Sequence, residues 1–122
     1  MSREWQKEAI QRLGRHQKQT LTWIWTPPQS VTGFHQDPVY GQINGAWMWL
    51  VEGRKCWWFI DPSFSVEKVN INKMSIEEVR AVIGDLPILN EKIGKNDLIW
   101  FPNRWIHRVE TTDWSFGFGG YF

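Results

Sequence analysis

The rhythm of apolar and polar positions changes near residue 20. Over residues 2–18 Gln, Glu, Lys and Arg dominate, and Trp5, Ala9 and Leu13 recur at four-residue spacing. That period predicts a helix with one apolar side. Its basic residues, Arg3, Lys7, Arg12, Arg15 and Lys18, read as a solvated face. From residue 20 the texture turns to β. Residues 20–26 are aromatic and β-branched and end at Pro27-Pro28, and 30–37 predict a second strand. Residues 46–51 and 55–60 predict two apolar strands, with Glu52-Gly53-Arg54 between them as a hairpin turn.

One helix interrupts the strands. Ser75-Ile76-Glu77-Glu78 is a capping box, Ile76, Val79 and Ile83 form a single apolar stripe, and Gly84 is the stop signal. Strands resume at 86–89, 98–101, 105–111 and 114–122, with Pro102-Asn103-Arg104 as a turn. Many short strands with turn signals and no internal repeat predict a mainly β sandwich or barrel.

Composition narrows this picture. A length of 122 residues, 42% of them hydrophobic and 22% charged, fits one globular domain. A formal net charge of +1 offers no electrostatic signal for nucleic acid or a membrane surface. Cys56 is the sole cysteine, which excludes an intramolecular disulfide and fits a reducing compartment. With no apolar signal core near the start and no run able to span a bilayer, the expectation is a cytoplasmic protein, with the nucleus left open. Ten tryptophans are many for this length and suit a core, an aromatic cleft or an interface equally.

The candidate chemistry starts at His35-Gln36-Asp37. Residues two apart on a strand project from one face, so this imidazole and carboxylate can reach one point. Alone such a pair is most often a surface turn. A second histidine from another strand would complete a two-His, one-carboxylate set, which holds one face of an octahedral metal and suits Fe(II). His16 lies among charges in the predicted helix and has no assigned role. His107 shares a face with Trp105 and Val109, where a satisfied core histidine is the ordinary reading.

Taken in order, four segments resemble the JmjC family of Fe(II)- and 2-oxoglutarate-dependent oxygenases. Thr32-Gly33-Phe34-His35-Gln36-Asp37 resembles its Thr-x-x-His-x-Asp segment, and residues 46–62 resemble the strand pair that follows, with a Gly-x-Lys turn and a terminal Pro. Phe101-Pro102-Asn103-Arg104-Trp105-Ile106-His107-Arg108-Val109 resembles its Pro-x-x-Trp-x-His-x-Val segment, and residues 116–122 its closing strand. The likeness is nearest to the lysine-demethylase branch. It implies a double-stranded β-helix, or jelly-roll, over residues 20–122 after an N-terminal helix at 1–19, all in one domain.

The resemblance implies His35, Asp37 and His107 as iron ligands, with Fe(II), 2-oxoglutarate and O2 as the reaction's partners. It implies Lys55 as the cation for the distal carboxylate of 2-oxoglutarate and Thr32 as a hydroxyl donor to it. Lys55 shares a face with Trp57 and Phe59, inside the barrel, where a lysine without a partner is costly. Simple alternation places Thr32 on the face opposite His35, so an irregularity near Gly33 is required. The stretch from Asp37 to Trp47 is longer than in the demethylases, and Tyr40, Gln42 and Asn44 have no firm match. Asn44 is assigned to the co-substrate's side. No tyrosine stands near Thr22, Trp23 and Trp25, where many relatives place one. The expected reaction is hydroxylation, or N-demethylation, of a protein or peptide side chain, with a small molecule as a second substrate class. Trp47, Trp49, Trp57 and Trp105 are expected to keep the pocket dry. Two other readings stand beside this one: a cupin-like metal-binding protein without 2-oxoglutarate turnover, and an interaction module whose tryptophans form a partner surface. A homodimer that covers exposed tryptophan fits a domain this small.

Overall fold

A computed structural model describes residues 22–37 and 43–122. The predicted N-terminal helix, His16, Tyr40 and Gln42 lie outside the described residues. Eight strands follow one another: β1 (Thr22–Thr26), β2 (Ser30–His35), β3 (Gly45–Glu52), β4 (Lys55–Ile60), β5 (Ile88–Ile93), β6 (Leu98–Pro102), β7 (Ile106–Thr111) and β8 (Ser115–Tyr121). They form two antiparallel sheets, ordered β1-β8-β3-β6 and β2-β7-β4-β5. The chain passes to the other sheet at each step from β1 to β4 and again from β5 to β8. That is a jelly-roll, as the sequence predicts.

One expectation is corrected by this topology. Glu52-Gly53-Arg54 does not close a hairpin, because β3 and β4 belong to different sheets. The turn carries the chain across the sandwich. Gly53 has φ +104°, a left-handed conformation that glycine adopts without strain. A β-carbon there would also meet the Ser115 hydroxyl and backbone. Arg54 is tied to Asp113 at 2.6 Å, and its carbonyl accepts from the Thr112 amide, so the crossing is anchored to the β7–β8 turn.

Two apolar cores result. The inner one lies between the sheets and joins Met48, Leu50, Trp57, Phe59, Ile99 and Phe101. The outer one lies behind the second sheet, where Phe34, Ile60 and Ile106 are sealed by Ile71, Val79 and Ile83. Those last three come from the insert between β4 and β5. It holds two 3-10 turns, Val66–Lys68 and Ile71–Lys73, and helix α1 (Ile76–Ile83). Ser75 caps α1: its hydroxyl accepts from the Glu78 amide while the Glu78 carboxylate accepts from the Ser75 amide, a complete capping box. Val79 and Ile83 bury the predicted stripe, and Gly84 ends the helix at φ 66°. Among the described residues no helix is long and apolar enough to cross a membrane.

Candidate metal centre

His35 ends β2 and His107 is the second residue of β7. The two strands pair with His35 directly opposite His107, and the ring centroids are 4.1 Å apart. Asp37 follows two residues after His35 and faces both rings. Its two carboxylate oxygens lie 3.4 Å from His35 Nε2 and 3.6 Å from His107 Nε2. These separations exceed an ordinary N–H···O bond of about 2.7–3.2 Å and leave a common point between the three atoms. One donor atom from each of the three residues falls within 4.8 Å of the others.

The other nitrogen of each ring explains its orientation. His35 Nδ1 lies 2.8 Å from the Gly33 carbonyl, and His107 Nδ1 lies 2.9 Å from the Trp105 carbonyl. A carbonyl only accepts, so both Nδ1 atoms carry hydrogen, and in the neutral rings both Nε2 lone pairs are turned toward Asp37. Backbone carbonyls thereby do what outer partners do for metal-bound histidines, fixing tautomer and ring direction. The local electrostatics divide the pair. The facing of His35 and Asp37 raises the His35 pKa and lowers that of Asp37, whereas burial lowers the His107 pKa and favours its neutral form. Two neutral imidazole nitrogens and one carboxylate, with no thiolate, suit a divalent iron, manganese, cobalt or nickel ion. The donor set therefore fits the metal that the resemblance implies.

A cavity of about 250 Å³ opens beside the cluster. Asp37 and His107 form one end of it, and Met48, Trp57, Phe101 and Tyr121 are among its walls. Of the four tryptophans expected around the pocket, Trp57 borders this cavity with its ring, whereas the Trp47 ring turns to the outer side of its sheet and meets Phe118. Trp105 packs against the inner core, and Trp49 meets Phe118 on the outer side of its sheet.

The remaining predicted residues are placed unequally. Thr32 pairs with Val109, and His35 with His107, because the register shifts between Thr32 and His35. Two residues of β2 there oppose only Arg108, so Thr32 and His35 share a face after all. Gly33 sits in this irregularity against the 3-10 turn, where a β-carbon would run into the Asn72 carbonyl. Thr32 is exposed. Lys55 is 6% exposed and points into the sandwich, donating to Thr26 Oγ1 at 3.0 Å and Thr111 Oγ1 at 2.9 Å. Burial pushes its pKa down to about 8. No carboxylate pairs with it among the described residues, and it does not border the cavity. Asn44 is exposed. Its backbone, not its side chain, is engaged: the amide donates to the Phe122 carbonyl and the carbonyl accepts from Asn103. It does not join the cluster.

Thr26 and Thr111, which hold the Lys55 ammonium, lie outside the four motifs. Thr111 had a signal, since it lies four residues after His107 and shares its face. Thr26 had none, because β1 meets Lys55 only through the sandwich.

Fold and donor set together define a jelly-roll protein with a candidate facial metal site. Comparison with known proteins adds a distant JmjC-like relationship. No family model matches the chain. It is 35% identical over 86 residues to the bifunctional lysine-specific demethylase and histidyl-hydroxylase NO66 of Drosophila persimilis. The match takes in 70% of this chain and 11% of that protein. The crystal structure of Drosophila melanogaster CENP-C bound to CAL1 superimposes with a TM-score of 0.56 at 10% identity, over 88% of this chain and 62% of that one. That likeness concerns the fold.

Proposed function

We propose that this chain is an Fe(II)- and 2-oxoglutarate-dependent oxygenase that oxidises a protein side chain. The observation that carries it is the convergence of His35, Asp37 and His107 beside a mainly apolar cavity, with both Nε2 atoms turned toward Asp37. The relationship to NO66 favours oxygenase chemistry over simple metal binding. An iron ion held there supplies oxygen chemistry, coupling decarboxylation of 2-oxoglutarate to succinate with oxidation of the substrate.

The chain's own residues supply the rest. His35 and His107, oriented by the Gly33 and Trp105 carbonyls, and Asp37 between them hold the metal. Trp57, Phe101 and Met48 exclude water from the space beside it. Lys55 receives the distal carboxylate, with the Thr26 and Thr111 hydroxyls steadying the ammonium until it arrives. Thr32, brought to the same face by the bulge, is a further polar contact of the co-substrate, and Asn44 is a second, reaching it from outside the cavity lining.

Lys55 also favours a second reading. Its ammonium already has two hydroxyl acceptors and does not border the cavity, as a cupin-like metal-binding protein without 2-oxoglutarate turnover would allow. Anaerobic titration separates the two. Fe(II) followed by 2-oxoglutarate should give the visible charge-transfer band of a chelated 2-oxo acid, weakened by Lys55→Met and abolished by His107→Ala. Iron binding without a band leaves the metal-binding reading, and no iron binding removes both.

A further inference from the structure

Both faces of the β1-β8-β3-β6 sheet are apolar. Ile24, Met48, Leu50, Ile99 and Phe101 face the inner core. Alternation sends Trp23, Trp25, Trp47, Trp49, Trp100, Phe116 and Phe118 to the other side, in register across the strands. The rings meet there: Trp25 and Trp23 lie 4.2 and 5.1 Å from Phe116, and Trp49 lies 4.9 Å from Phe118. An antiparallel sheet with one face in water ordinarily turns polar residues to it. The second sheet follows this rule. Its outer face is apolar at Phe34, Ile60 and Ile106, under the helical insert, and carries Lys92, Arg108 and Glu110 beyond it. The aromatic face has no such cover among the described residues. Trp23 is 63%, Trp25 70% and Trp100 53% exposed.

We propose that this face joins two copies of the chain back to back around a two-fold axis. At roughly 250 Å² per indole side chain, the three exposed fractions leave about 450 Å² of tryptophan surface open. A specific interface takes about 800 Å² from each partner, so these indoles alone supply more than half of it. These aromatic positions carry no charge. Nothing there matches an acidic or basic partner, whereas an aromatic face is complementary to itself, as an isologous contact requires. Strand β1 pairs only with β8 among the described residues, so it forms an edge beside the patch. The pair leaves the metal cluster facing away, inside each copy.

Sedimentation of the full chain from about 1 to about 300 µM tests this, since an interface of this size predicts micromolar association. The expected result is a monomer–dimer equilibrium. Trp25→Glu, confirmed as folded by circular dichroism, should weaken it at least tenfold, because each substitution enters a symmetric interface twice. Trp23→Thr should weaken it too, and serves where the charged variant does not fold. Lys92→Glu, on the other sheet, should leave it unchanged. A wild-type chain that stays monomeric across the range overturns the proposal and means that another part of the chain or a foreign partner covers the face. A dimer indifferent to both tryptophan variants overturns it as well.

Discussion

Replacing Lys55 by methionine keeps the length of the side chain and removes its charge. Lys55 is buried, and burial alone holds its pKa near 8 instead of 10.5. At pH 7 that displacement corresponds to about 3 kcal/mol of stability lost to burying the ammonium. Methionine removes this cost. It also removes the donors to Thr26 and Thr111, and leaving the buried Thr111 hydroxyl without them costs about 1 kcal/mol. The net expectation at pH 7 is a variant about 1–2 kcal/mol more stable than the wild type, or roughly 4–8 °C higher in Tm. The sign of the pH dependence follows from protons bound. Between pH 8 and 10.5 the unfolded wild type keeps its lysine proton while the folded chain has begun to lose it, so wild-type stability rises with pH through that window. By pH ~9.5 the wild type should have regained about 2 kcal/mol on the variant. Urea melts of both proteins at pH 7 and pH ~9.5, without metal or co-substrate, measure this. A variant less stable than wild type at pH 7, or a gap that does not close with rising pH, refutes the account of Lys55 as an uncompensated buried cation. In the same samples 2-oxoglutarate with Mn(II) should stabilise the wild type more than it stabilises Lys55→Met.

Two further substitutions probe the frame around the cluster. Gly33→Ala places a methyl against the Asn72 carbonyl and forces the β2 bulge open, so a loss of at least about 2 kcal/mol is expected together with weaker Mn(II) binding, read by thermal melting and calorimetric titration. Ser75→Ala breaks the capping box of α1 and should cost about 1 kcal/mol in urea denaturation.

The fold class was legible because period-two alternation survives in nearly every strand: Lys55, Trp57 and Phe59 face inward, and Cys56, Trp58 and Ile60 outward. The helix was legible from Ser75, Glu78 and Gly84, whose roles are local. The link between β3 and β4 was not. A glycine turn between two apolar strands looks the same whether the second strand folds back on the first or crosses to the opposite sheet, and the partners that decide it, β8 and β7, lie more than fifty residues further on. The Thr32 side chain was ambiguous for a related reason. Alternation is a rule for unbroken strands, and only the crowding of Gly33 against Asn72 shows where β2 breaks it. Around Lys55 the strand pattern implies burial and the resemblance implies a dicarboxylate partner; two threonine hydroxyls from other strands hold it here.

That break in alternation connects the two cores to the candidate centre. Phe34 immediately precedes His35, and Ile106 immediately precedes His107. Both Phe34 and Ile106 have no exposed surface and belong to the outer core behind the sheet. Adjacent strand residues point to opposite faces, so each anchor turned outward under the insert commits the histidine after it to the inner face. The bulge lets β2 satisfy three demands at once: Phe34 behind the sheet, His35 opposite His107, and Thr32 on the same inner face as both. The insert that carries Ile71, Val79 and Ile83 supplies none of the three donors, yet it packs behind the strands that present two of them. Donors held by a packed sheet, with their ring directions set by backbone carbonyls, need little rearrangement to receive an ion. Loosening the outer core should therefore lower metal affinity even though no ligand is altered, which a cavity in a protein that merely tolerates a surface ion would not do.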